Sequence, residues 1–76
     1  MAGAGIQVRA EMVANVFQVA VGPGDAVDQG SVLLVLESMK MEIPVLSETP
    51  GVISEVKVRE GDVVQEGDIL VIIENR

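Results

Sequence analysis

The sequence predicts an all-β domain, two packed sheets or a flattened barrel, with about four short strands in each half. Three observations carry that expectation. Apolar residues alternate with polar ones at period two, or cluster in unbroken runs of five at residues 32–36 and 69–73. Gly-Asp pairs and other turn residues interrupt the chain at short intervals. The third is an internal repeat: residues 16–37 laid over residues 53–74, an offset of 37, share eight identities in 22 positions.

The identities are Val19/Val56, Val21/Val58, Gly24-Asp25/Gly61-Asp62, Val27/Val64, Gly30/Gly67, Leu33/Leu70 and Glu37/Glu74. Most other positions are conservative, such as Val32/Ile69 and Leu36/Ile73. A solenoid needs at least three repeats, so two copies imply half-domains packed about a pseudo-twofold axis. With 76 residues in all, the core is near the lower size limit for independent folding.

Each element follows from local chemistry. Residues 1–6 read as a flexible lead-in, without the basic region and long apolar stretch of a signal peptide. The domain proper is residues 7–76. Phe17, Val19 and Val21 alternate with Gln18 and Ala20, as a half-buried strand does. Gly22-Pro23-Gly24-Asp25 is a turn, and Gln29-Gly30-Ser31 a second. Residues 32–36 form a fully apolar strand, and strand pattern resumes at Ile43-Pro44-Val45. The second half repeats the scheme: Val56 and Val58 alternate with charges, Glu60-Gly61-Asp62 and Glu66-Gly67-Asp68 turn, and residues 69–73 close it. No window of 11 residues keeps helical periodicity without a Gly or Pro. The pairing order of the strands does not follow from the pattern.

Composition removes whole classes of function. Five basic against 12 acidic residues give a net charge of −7, opposite to what phosphate binding needs. Phe17 is the sole aromatic residue, so there is no base-stacking platform and no nucleic-acid partner is expected. With no His and no Cys, Ser-His and Cys-His catalysis, zinc fingers and disulfides are excluded. Only a carboxylate site for a hard cation remains among metal sites. Apolar runs of five fall far short of the roughly 20 residues of a membrane helix. A cysteine-free chain is compatible with the cytoplasm, which is the expected location.

The segment between the halves stands apart. Strand pattern runs to Leu36 and resumes at Ile43, so Glu37-Ser38-Met39-Lys40-Met41-Glu42 must turn as a tight hairpin. Tight hairpins favour Gly, Asn or Asp, because primed turns need φ > 0. None is present. Met39 and Lys40 at the turn centre would each cost roughly 1–2 kcal/mol. Every other turn is expected to have its glycine, so the contrast marks these residues as kept for something besides folding. Lys40 at the tip is solvated, hence a poor catalytic base but an accessible acceptor for covalent modification. The alternative is an ordinary surface lysine between two Met that cover the barrel end.

Met39-Lys40-Met41, with Glu37 before and Glu42 after, centred between two Gly-Asp half-repeats, resembles the biotinyl attachment domain. The resemblance runs from about Val8 to Glu74, through Arg9-Ala10-Glu11-Met12, Pro50-Gly51 and the closing strand. It is greatest toward the small free-standing proteins of the biotin carboxyl carrier family. It implies a flattened barrel of two four-stranded antiparallel sheets (a barrel-sandwich hybrid), with the acceptor lysine at one end and both termini at the other.

It implies a role as well. A biotin protein ligase joins biotin to Lys40 as an amide, and the arm of about ten single bonds, each ~1.5 Å, moves between two sites. A biotin carboxylase site loads a carboxyl group, and a carboxyltransferase site passes it to an acceptor, often an acyl-CoA. The domain itself is non-catalytic and supplies tethering. Met39 and Met41 are expected to serve ligase recognition while also packing on the barrel end. Glu37 and Glu42 are possible recognition residues, or charges that protect the hairpin edge.

Some positions depart from the family pattern. Ser38 stands where many members have Ala, and Glu11 and Val13 where many have Pro. Ala14 replaces a glycine that the second half keeps as Gly51, so Asn15 would carry a turn if φ > 0 were needed there. The short stretch between Asp25 and Ser31 leaves no room for the thumb of some bacterial carriers. Lipoyl domains share the fold but usually place Asp before the lysine and Ala after it, which makes lipoylation the lesser alternative. A stand-alone, monomeric protein is expected.

Overall fold

A computed structural model of the chain describes residues 5–75. It contains eight strands: β1 (Ile6–Arg9), β2 (Ala14–Val19), β3 (Ala26–Val27), β4 (Val32–Ser38), β5 (Met41–Leu46), β6 (Gly51–Val56), β7 (Val63–Val64) and β8 (Ile69–Glu74). They form two four-stranded sheets, ordered β1-β8-β6-β3 and β5-β4-β2-β7. Every pairing is antiparallel. This is the all-β flattened barrel-sandwich expected. The repeat maps β1–β4 onto β5–β8, so it carries one sheet onto the other. Each sheet takes two strands from each half, and neither half owns a sheet.

Residues 1–4 of the expected lead-in lie outside the described residues. Its last residue, Ile6, begins β1 and pairs with Ile73. Residues 26–31, where no thumb was expected, are β3 and a four-residue turn.

The repeat extends to individual hydrogen bonds between segments. The Gly24 and Gly61 amides donate to the Ile53 and Val16 carbonyls, each at 2.8 Å. The Gly30 and Gly67 amides donate to the Ser47 and Ala10 carbonyls at 2.7 and 2.9 Å. Four turns, at residues 22–25, 28–31, 59–62 and 65–68, use one device. A glycine at the third position takes φ of 92–95°, open to residues without a Cβ. The fourth residue donates its amide to the first carbonyl, and its side chain accepts from the first amide. Asp25 accepts from Gly22 at 2.8 Å, Asp62 from Arg59 and Asp68 from Gln65 at 2.9 Å, and the Ser31 hydroxyl from Asp28 at 2.9 Å. Two further connections, residues 10–13 and 47–50, turn without glycine, which corrects the expectation that every turn but the hairpin has one; none of their residues takes positive φ, so none needs it. In the second, the buried Ser47 hydroxyl donates to the Thr49 carbonyl at 2.5 Å.

Between the sheets lie Val16, Leu33, Leu34, Leu36, Ile53, Val64, Leu70, Val71 and Ile73, all almost completely buried. Each large side chain so buried stabilises the fold by about 1.5–3 kcal/mol. Leu33-Leu34 and Leu70-Val71 are consecutive yet both inward. Simple alternation forbids that, but a bulge at Leu33 against β5, and another at Leu70 against β1, restores the register.

A further bulge corrects the alternation read for the first long strand. The register slips between Val16 and Gln18, so Val16 points into the core while Phe17 is 48% exposed. β6 slips likewise at Ser54, Phe17's counterpart. Val21 and Val58 fall beyond the strand ends, though both still pack on the core. Ala14 and Asn15 do not form a turn; both are strand residues, and neither has positive φ. Gly51 lacks positive φ too. Its glycine is needed because a Cβ would lie 2.5 Å from the Glu74 carbonyl oxygen.

Candidate functional site: the β4–β5 hairpin

Ser38 pairs with Met41, which leaves Met39 and Lys40 as a two-residue loop. Their φ values are 52° and 68°. Positive φ at both central residues defines the primed turn whose twist matches the strands it joins. Among the described residues these are the only non-glycine residues with positive φ. The hairpin is therefore the tight, glycine-free turn that the sequence predicts, held at roughly 1–2 kcal/mol per residue. The β4–β5 ladder, the longest pairing among the described residues, runs back from Ser38 and Met41 to Val32 and Leu46 and over-determines it.

Lys40 is exposed at the apex. The one ion pair among the described residues joins Lys57 and Glu55 at 3.0 Å, and no hydrogen bond engages the Lys40 amine. A group joined to that amine displaces no hydrogen bond or ion pair among the described residues. Met39 is 89% exposed and Met41 59%. Both are mostly exposed, where the sequence suggested packing on the barrel end; Met39 sits in the left-handed two-residue loop, outside the strands, and Met41 opens β5. Glu37 and Glu42 sit directly opposite each other one pair behind the turn, Glu37 half-buried and Glu42 exposed. The hairpin thus brings all five predicted site residues together.

Sequence reasoning missed the neighbours. A shallow hollow of about 290 Å³ beside the tip is lined by Val13, Ala14, Asn15 and Val63 together with residues 37–40. Val13 and Val63 are 62% and 65% exposed. Their meeting depends on the β2–β7 pairing of Ala14 with Val64 and Asn15 with Val63, which pattern alone does not reveal. A larger groove of about 890 Å³ runs between edge strands β1 and β5, but none of residues 39–41 lines it. Among the described residues no three His, Cys, Asp or Glu side chains gather as a metal site, and no helix is long and apolar enough to cross a membrane.

The biotin/lipoyl family, described as a biotin-requiring enzyme, matches residues 5–73. A biotinylated protein TB7.3 homolog of Mycobacterium leprae is 57% identical over 47 residues, covering 62% of this chain and 66% of that one. The chain thus spans just under two thirds of that relative's length. A solved single-chain, multi-domain long-chain acyl-CoA carboxylase is similar over 95% of this chain and 7% of its own, with TM-score 0.87 and 30% identity. The lipoyl domain of the 2-oxoglutarate dehydrogenase complex from Azotobacter vinelandii is similar over 95% of this chain and 98% of its own, with TM-score 0.75 and 28% identity. The fold agrees with these likenesses, and the chain belongs to the biotin/lipoyl attachment family as a small biotinyl domain.

Proposed function

We propose that Lys40 is the residue that carries biotin, joined to it by a biotin protein ligase. The domain then serves as a cytoplasmic, monomeric, non-catalytic carrier between the biotin carboxylase and carboxyltransferase sites of an acyl-CoA or related carboxylase. One observation carries this reading. Among the described residues, the single place where the backbone is left-handed without glycine is the apex that presents the Lys40 amine, and no ion pair among them engages that amine.

The residues present fit the group. An amide on Nζ removes the lysine charge, and among the described residues Lys40 has no ion pair to lose. Biotin, when bound, supplies a ureido nitrogen that takes up and gives up a carboxyl group. This chain's own part is to hold the attachment point rigidly at the end of a ladder while leaving the side chain free. Met39 and Met41 flank the amine with soft, adaptable apolar surface, suited to recognition. Glu37 and Glu42 supply charge beside it. The acyl-CoA reading is supported by the likeness to a long-chain acyl-CoA carboxylase.

The test is intact mass after co-expression with a biotin protein ligase, beside Lys40→Arg. A gain of one biotinyl group, lost in the variant, is expected. No gain, with the ligase active on another acceptor, overturns the reading; a lipoyl gain with lipoate ligase would replace it.

A further inference from the structure

The pseudo-twofold supplies an internal control for surface chemistry. The two sheets are built alike, so outward residues required by the fold should match across the repeat. Val35 and Ile72 do, both half-buried at equivalent places. Three flanking positions do not. Phe17 corresponds to Ser54, Pro44 to Gln7, and Leu46 to Arg9. On the β5-β4-β2-β7 sheet, Pro44 and Gln18 both pair with Val35, with Phe17 at the bulge beside them, and Leu46 pairs with Val32. Phe17, Val32 and Leu46 are 48%, 43% and 46% exposed. The other sheet folds the same way with Ser, Gln and Arg in place of Phe, Pro and Leu. Folding therefore does not require the apolar residues here.

The basic residues differ between the sheets, though the carboxylates do not. The strands of each sheet contain two, Glu37 and Glu42 on the apolar-faced sheet and Glu55 and Glu74 on the other, but only the other sheet adds Arg9, with Lys57 just beyond β6 and paired with Glu55. The apolar patch and the two carboxylates share the face that ends at Lys40. An exposed apolar centre with a charged rim marks a protein interface.

We infer that the outward face of the β5-β4-β2-β7 sheet is where the biotin protein ligase docks, through an apolar surface edged with Lys or Arg. This rests on Lys40 being the acceptor. A lysine amine reaches only about 6 Å from its backbone, four methylenes and a nitrogen at ~1.5 Å per bond. An enzyme that acylates it must therefore lie on the protein around the hairpin. The Val35–Pro44 pair is three residues back along β4 from Ser38, about 10 Å at ~3.3 Å per residue. A second copy of the chain is the poorer occupant, since it brings the same two carboxylates and the same net charge of −7.

The experiment uses a purified biotin protein ligase with biotin and ATP, and measures KM and kcat for the carrier. Phe17→Ser and Leu46→Arg install residues that the matched sheet already carries. Together they are expected to raise KM at least tenfold with kcat within twofold. Glu55→Gln on the other sheet should change neither. Val32→Thr, which keeps the branched shape, serves if the double variant unfolds, and should raise KM about threefold. A modified wild type with KM unchanged in the folded variants overturns the docking face alone. An unmodified wild type overturns the function reading and this inference with it. Sedimentation showing a wild-type dimer that Phe17→Ser dissolves would assign the face to self-association instead.

Discussion

Glu37 and Glu42 face each other directly across the β4–β5 ladder, one pair behind the turn that presents Lys40. Like charges directly opposite on a sheet are destabilising, by roughly 0.2–1 kcal/mol. Glu42→Thr removes the repulsion and adds a β-branched residue suited to a strand. It is expected to raise the urea midpoint by the equivalent of about 0.5 kcal/mol, while slowing ligation by a biotin protein ligase. The gain should shrink in high salt, because the pair is partly solvated.

Met39 holds φ of 52° with a full side chain. Met39→Gly relieves that cost and should stabilise the protein by about 1 kcal/mol. Chemical denaturation should show the midpoint rising with the m-value unchanged. Modification of Lys40 should fall in the same variant, since the residue beside the acceptor is lost.

Gly51 and Ala14 occupy equivalent places in the repeat but tolerate different changes. A Cβ at Gly51 lies 2.5 Å from the Glu74 carbonyl oxygen and 2.6 Å from Ile73 Cγ2, both within β8. Gly51→Ala is therefore expected to cost at least about 2 kcal/mol, as overpacking does. Ala14→Gly should cost only about 1 kcal/mol, through chain entropy. Thermal unfolding of the two single variants checks the order.

Asp62 accepts the Arg59 amide at 2.9 Å within a turn whose glycine is already in place. Asp62→Ala leaves that amide to water and is expected to cost about 1 kcal/mol. Asp25→Ala and Asp68→Ala should cost similar amounts, because the same bond recurs at 2.8 and 2.9 Å. Equal losses in three separate turns, read by denaturation, would establish that one device is reused.

The repeat, the turns and the hairpin were legible because each rests on residues near one another in sequence. Gly and Asp name a turn locally, and the absence of Gly around Lys40 could be seen without coordinates. Phe17 was misread because a bulge is a mismatch between two strands, and period two describes only one. Val13 and Val63 stayed hidden beside the hairpin for a related reason. They become neighbours through the β2–β7 pairing, across some fifty residues of chain, and no local signal encodes the partner of a two-residue strand. Met39 is exposed in the left-handed turn; expecting it to cover the barrel end treated apolar character as if it fixed direction.

Because the half-turn that relates the repeats exchanges the sheets, the edge where β8 meets β1 has the same geometry as the edge where β4 meets β5. Gly5 lies against Ile72 and Glu74 there, so the chain passes back close beside itself. The Lys40 hairpin is thus a seam between duplicated halves rather than a peculiarity of one of them. A circular permutant that closes β8 onto β1 through a Ser-Met-Lys-Met tip, and opens in the exposed turn at residues 28–31, would carry two arms on a single barrel. Comparing that molecule with the natural one would separate what the tip contributes to being modified from what the surrounding face contributes.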